Sequence, residues 1–198
     1  VISAPEQTHR PSIRHVDAID GVQVPVSMSG PNTGRTIIML DQAPATGDCY
    51  EAVRERLHVA MFQTIVISVH ESLTPKALVA ILDRLKVPAG LLVGDGAAAE
   101  VAWSLAAAYG ARFTGLVVID SGHPSVAGLD GEIRDAGCPA VDVDTTALFS
   151  DKVGQTLGQA SRRLVRGEFR LVELAGPRSS RHFTVQLAAE IVVRALSR

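Results

Sequence analysis

Short runs of alternating or continuous apolar residues recur at 13–19, 22–28, 36–40, 64–69, 90–93, 115–119, 140–143 and 169–174, and each has the length and composition of a β-strand. The first two flank Asp20-Gly21, a tight-turn dipeptide, and so predict an antiparallel hairpin; Gly30-Pro31-Asn32-Thr33-Gly34 turns the chain into the third. From Thr36 onward the pattern changes. Helical periodicity at 50–59, 75–85, 97–109, 152–165 and 184–196 separates the strands. Strands alternating with helices predict right-handed crossovers and a mostly parallel sheet with helices on both faces. Thr74 followed by Pro75 marks one helix start, a capping hydroxyl ahead of a residue that needs no backbone donor. The 97–109 helix is apolar nearly all round apart from Glu100 and Ser104, which places it against the sheet and under its neighbours, with Trp103 in the core.

Length and composition narrow the class. A chain of 198 residues fits one domain with a sizeable core, and residues 1–12 read as an irregular tail ahead of it. Hydrophobic residues at 46% and charged residues at 20% argue against both disorder and a membrane protein. A net charge of −2 supplies no field to attract nucleic acid or an anionic membrane, and the Arg162, Arg163, Arg166 cluster reads as a solvated helix face. Cys49 and Cys138 lie far apart and belong to no metal or redox spacing, so neither a metal nor a cofactor is expected, and a reduced cytoplasmic setting is. The first ten residues lack a basic segment followed by an apolar one, and no apolar run reaches membrane-spanning length.

The junction Leu91-Leu92-Val93-Gly94-Asp95-Gly96-Ala97-Ala98-Ala99 looks like the strand-to-helix elbow written L-V-G-x-S-x-G-G. Together with the hairpin, the parallel sheet and a histidine near the last helix, it makes the chain resemble the α/β-hydrolase superfamily from about 16 to 196. That resemblance implies a three-layer fold, a mostly parallel eight-stranded sheet with an N-terminal antiparallel hairpin, and no cap domain, because the segment 121–137 is too short for a lid. It also assigns positions. Gly96 stands where the serine nucleophile belongs, and glycine tolerates the strained turn but has nothing to attack with. Reading Asp95 as a carboxylate nucleophile requires a one-residue shift that displaces Gly94. His182, in Ser180-Arg181-His182-Phe183 ahead of the last helix, matches the catalytic histidine. Aligning 138–144 with the strand that precedes the acid puts Leu148 at the acid's place, with Asp144 or Asp151 as substitutes. Asp120, ending 116–119, occupies an alternative acid site and so suggests an Asp120/His182 pair. The oxyanion loop, usually His-Gly, reads Asp41-Gln42-Ala43-Pro44, leaving the Ala97 backbone N–H as the remaining donor. Asp41, Gln42, Asp95 and Ala97 are therefore the expected ligand-facing positions.

Three functional readings follow. The first is a pseudoenzyme with a degenerate catalytic triad: a fold kept for binding a small molecule or a protein partner. In that case the surface left bare by a missing cap would be covered, a homodimer being one way. The second is an enzyme in which His182, oriented by Asp120 or Asp144, acts as a base without a serine. The third is a dinucleotide-binding domain, because Gly94-x-Gly96-x-x-Ala99 follows a strand, opens a helix and has Asp120 in a ribose-binding place. His70-Glu71-Ser72 and Asp120-Ser121-Gly122-His123 read as ordinary polar loops at the carboxyl edge of the sheet.

Overall fold

The computed structural model describes residues 12–42 and 47–197. Eight strands form one sheet: β1 (Ser12–Asp17), β2 (Gln23–Ser29), β3 (Thr36–Gln42), β4 (Gln63–Val69), β5 (Gly90–Asp95), β6 (Phe113–Ile119), β7 (Thr145–Phe149) and β8 (Phe169–Glu173). Five helices accompany them among the described residues: α1 (Gly47–Val59), α2 (Pro75–Arg84), α3 (Ala97–Tyr109), α4 (Lys152–Ser161) and α5 (Arg181–Leu196). The strand order is β1-β2-β4-β3-β5-β6-β7-β8. The β1–β2 hairpin pairs antiparallel to β4, and from β4 to β8 every pairing is parallel. The connection from β6 to β7, residues 120–144, contains no helix and so forms no helical cap over the carboxyl edge.

The central strands read as unbroken apolar runs because both faces of the sheet are covered. Ile38 and Leu40, Leu92, and Leu116 and Val118 point toward α2, α3 and α4, where Leu78, Ile81 and Trp103 complete one core. The intervening residues Ile37 and Met39, Leu91 and Val93, and Val117 and Ile119 point the other way, onto Leu57 of α1 and Phe183, Leu187 and Ile191 of α5. Trp103 is fully buried, as its helix pattern predicts. Thr74 caps α2 by accepting a hydrogen bond from the Ala77 N–H at 3.2 Å. Among the described residues no helix is long and apolar enough to cross a membrane.

Three expectations change. Residues 140–143 are not a strand: Val141 makes a single isolated bridge to Val165, and the strand in that part of the chain is β7. Val141 is nonetheless fully buried, which is why its neighbourhood carries the apolar signature of a strand. The 152–165 helix ends at Ser161 and tightens into a 3-10 turn over Arg162–Leu164. The last helix begins at Arg181 rather than 184, because Ser180 caps it by accepting from the Phe183 N–H at 3.1 Å. The expected tail at 1–12 lies outside the described residues except for Ser12, which begins β1.

Gly94 sets how closely α3 approaches the sheet. A Cβ there would lie 2.7 Å from the Ala98 carbonyl oxygen, 2.8 Å from Ala99 Cα and 2.9 Å from Ala102 Cβ. Two of those three atoms are helix backbone, which cannot swing aside as a side-chain tip can. Replacing Gly94 by alanine is therefore expected to push α3 outward and to destabilise the protein by roughly 1–3 kcal/mol, the usual cost of overpacking. A lowered urea midpoint at unchanged slope is the expected reading.

Candidate functional site

The carboxyl ends of β3, β5, β6 and β7 form one edge of the sheet, and β3 and β5 lie side by side there although their crossovers leave in opposite directions. In open α/β sheets such a switch point is where ligands bind. Immediately after β5 the chain turns through Gly96, whose φ of 57° and ψ of −120° a residue with a Cβ adopts only under strain. The Gly96 N–H donates to the Ile119 carbonyl at 2.9 Å, tying the turn to β6. A Cβ at Gly96 would meet nothing within 4 Å, so the demand for glycine comes from the backbone conformation and not from lack of space.

Two carboxylates flank this apex and converge on one cation. Both terminal nitrogens of Arg178 donate to Asp95, one of them to Oδ1 at 2.8 Å, and Nη2 also donates to Asp120 Oδ2. The Tyr50 hydroxyl of α1 donates to Asp95 Oδ2. The Ser150 backbone N–H donates to Asp120 Oδ1 at 2.7 Å, and the Ser150 hydroxyl donates to Oδ2. Asp120 has φ of 52°, a left-handed conformation that aspartate adopts more readily than most residues and that accumulates at functional sites. Arg178 comes from the connection between β8 and α5, with its guanidinium 5.8 Å from the centre of the Phe183 ring. Hydrogen bonds to Asp95, followed by the charges of Asp95 and Asp120, push the Arg178 pKa further up against the opposing effect of burial. It is a fixed positive charge.

The other expected residues are placed differently. His182 lies in the first turn of α5, is exposed and makes no hydrogen bond or ion pair with a described residue, so the Asp120/His182 pair is not formed. The side chain that reaches the two aspartates from the β8–α5 connection is Arg178. Leu148 is buried inside β7, opposite Ile119, and the connection that follows β7 begins with Ser150 and Asp151, not at Leu148. Asp151 spends its carboxylate capping α4, accepting from the Gly154 N–H at 2.6 Å. Asp144 precedes β7 and therefore lies at the opposite edge of the sheet, where it accepts from the Glu168 N–H at 2.7 Å. Asp41 and Gln42 end β3 at the correct edge, while Ala43 and Pro44 lie outside the described residues.

Two clefts open beside the apex. One of about 400 Å³ is lined by Gln42, His70, Glu71, Ala97 and Glu100 among others. The other, of about 310 Å³, includes Gly96, Glu100, Asp120, Gly122, His123 and Leu129. Arg134 borders both and is ion-paired with Glu100 and Asp130. His70 bonds Ser72 through Nδ1 at 2.7 Å, a local loop contact. Among the described residues no group of three or more His, Cys, Asp or Glu side chains is placed to hold a metal ion.

Sequence reasoning missed Arg178, Tyr50 and Ser150. The available signal was electrostatic: Asp95 ends β5 and Asp120 directly follows β6, two carboxylates that need a cation at the same edge, and Arg178 lies in the loop after the last strand. His123 is buried. Its Nε2–H donates to the Pro139 carbonyl at 2.9 Å, and Nδ1 accepts from the Ser125 N–H at 3.2 Å. The ring packs edge-on to Trp103 at 5.3 Å. Cys138 lies 3.7 Å from Nε2, but burial pushes its thiol up to about 11, which keeps it protonated and unreactive.

No protein-family model matches the sequence, and no curated protein sequence matches it. Solved structures do resemble it. Epoxide hydrolase A from Mycobacterium thermoresistibile is 12% identical with a TM-score of 0.71, over 93% of this chain and 98% of that one. An epoxide hydrolase from Vigna radiata is 13% identical with a TM-score of 0.71, over 92% and 97%. A dienelactone hydrolase from Anabaena variabilis is 17% identical with a TM-score of 0.69, over 92% and 95%. At such identities the likeness establishes the fold: the chain has the α/β-hydrolase fold.

The buried imidazole gives a pH prediction. Burial lowers the His123 pKa from 6.5, opposed by the hydrogen bond to Pro139 and the charge of Asp135. The unfolded chain therefore takes up this proton at a higher pH than the folded one. Stability is full above the unfolded value and falls as the pH drops through it toward the depressed folded value. Unfolding free energies measured between roughly pH 7 and 5 should fall in the parent and show a shallower slope in His123→Gln. An unchanged slope would assign the acid sensitivity to other groups.

Proposed function

We propose that this chain is an α/β-hydrolase-fold pseudoenzyme that binds rather than cleaves. The observation that carries the reading is the ion-paired Arg178 above a side-chain-free apex. Covalent hydrolysis needs a nucleophile at Gly96, a base within hydrogen-bond reach of it and an acid to orient that base. Gly96 offers no nucleophilic atom, and the neighbouring carboxylates Asp95 and Asp120 are turned onto a guanidinium that cannot take a proton. Asp95 is also one residue short of the apex, which weighs against its acting as a carboxylate nucleophile. A histidine base working without serine has little support, because His182 is exposed and unoriented. Dinucleotide binding has less. Gly94 is explained by helix packing, Asp120 is engaged by Ser150 and Arg178, and a dinucleotide fingerprint belongs on the strand where the sheet order first reverses, which here is β3. The clefts of about 400 and 310 Å³ on either side of Glu100 suit a small ligand.

Fluorophosphonate labelling together with turnover of a short-chain aryl ester tests the proposal. The parent protein is expected to show neither above background, with His182→Ala unchanged from it. The Gly96→Ser variant is expected to gain slow labelling, because a hydroxyl then stands in open space at the apex without a histidine to activate it. Labelling of the parent, or parent turnover that His182→Ala abolishes, would overturn the reading.

A further inference from the structure

We propose that Asp95 and Asp120, together with Tyr50 and Phe183, form a receptor for a guanidinium or amidinium group, and that Arg178 is its built-in occupant, which such a ligand displaces. This deepens the binding reading above and rests on it. The site already holds a guanidinium, and holds it in the way the group is best recognised: both carboxylate oxygens of Asp95 take the two terminal nitrogens, and Asp120 takes a second contact from Nη2. An aromatic ring, Phe183, lies 5.8 Å from its central carbon.

The acceptors do not depend on Arg178 for their orientation. Tyr50 fixes Asp95, and the Ser150 backbone and hydroxyl fix Asp120, so a cage that is already aimed remains when the arginine side chain swings away. Swinging away is feasible, because the Arg178 side chain is 43% exposed whereas Asp95 and Asp120 are 14% and 28% exposed. A ligand larger than its cationic head also has somewhere to lie. Asp120 forms part of the wall of the 310 Å³ cleft, and Gly96, which lines the same cleft beside Asp95, contributes no side chain to it. Glu100, Asp120 and Asp130 outnumber Arg134 along the cleft, which favours a cationic ligand over an anionic one.

The test titrates the Arg178→Ala variant with methylguanidinium and benzamidine, using methylammonium as a cation of the wrong shape. Expected are saturable binding of both planar cations, preference over methylammonium by roughly tenfold or more, and loss of binding in the Asp95→Asn/Arg178→Ala double variant. The parent protein should bind the same cations more weakly, because a tethered arginine competes at high effective concentration. On binding, hydrogen exchange in the 174–180 connection of the parent should accelerate. A folded Arg178→Ala variant with no saturable binding, or with no preference for planar cations, overturns the proposal; so does a parent that neither binds nor changes its exchange. The parent measurements stand alone should the variant fail to fold. None of these readouts involves ester turnover or fluorophosphonate labelling, so failure of the cage and failure of the non-catalytic reading are separately visible.

Discussion

The contact on which the rest of the site depends is the close seating of α3 on β5 at Gly94. With no Cβ at that position, the backbone of Ala98 and Ala99 comes closer to the strand than any side chain would permit. A helix that close to the strand it follows leaves only one residue for the turn, and that residue must take a conformation reserved for glycine or held under strain. Gly96 is therefore a consequence of the packing as much as of any chemistry. The parallel pairing of β5 with β6 sets Asp95 opposite Ile119, so that Asp120 emerges beside the apex. The two carboxylates meet because the strands carrying them are neighbours.

That convergence creates an electrostatic demand. Two partly buried carboxylates this close repel each other and lose hydration, and a structure that keeps both charged must supply a cation or a set of donors. Here it supplies both: Arg178 bridges the pair, while Tyr50 and Ser150 fill remaining acceptor positions. The bridging arginine also ties the connection between β8 and α5 to the ends of β5 and β6.

Much of the architecture was legible in the sequence because burial on both faces of the sheet writes long apolar runs, and the crossovers separate them with helical periodicity. The one strand misplaced shows the limit of that signal. β7 reads Thr-Thr-Ala-Leu-Phe, and its two threonines are fully or almost fully buried, Thr146 accepting from the Nε of the buried Arg194 at 2.8 Å. Polar letters hid a core strand, while Val141 just upstream displayed an apolar one without a ladder to join. The error propagated to the site. Placing the strand a few residues early moved the expected acid to Leu148, when the connection after β7 begins with Ser150 and Asp151, and Ser150 is the residue that holds Asp120.

The histidine is a subtler case, because its surroundings differ from those expected of it. Starting the last helix at 184 leaves His182 in a loop free to turn toward the apex. Ser180 instead caps the helix, and once residue 181 is helical the direction of residue 182 is no longer a loop property. Phe183, Leu187 and Ile191 define the buried stripe at four-residue spacing, with Thr184 and Ala188 beside it. His182 then falls on the same side as Val185 and Ala189, which face solvent. The capping serine and the apolar phase were both present in the sequence, and together they decide that the last helix presents a histidine outward while the loop before it delivers an arginine inward. The pairing of Arg178 with Asp95 is another matter. It joins residues 83 positions apart and depends on the sheet order that brings β5 next to β6, with the loop after β8 reaching across to them, so it becomes visible only when the topology is in hand.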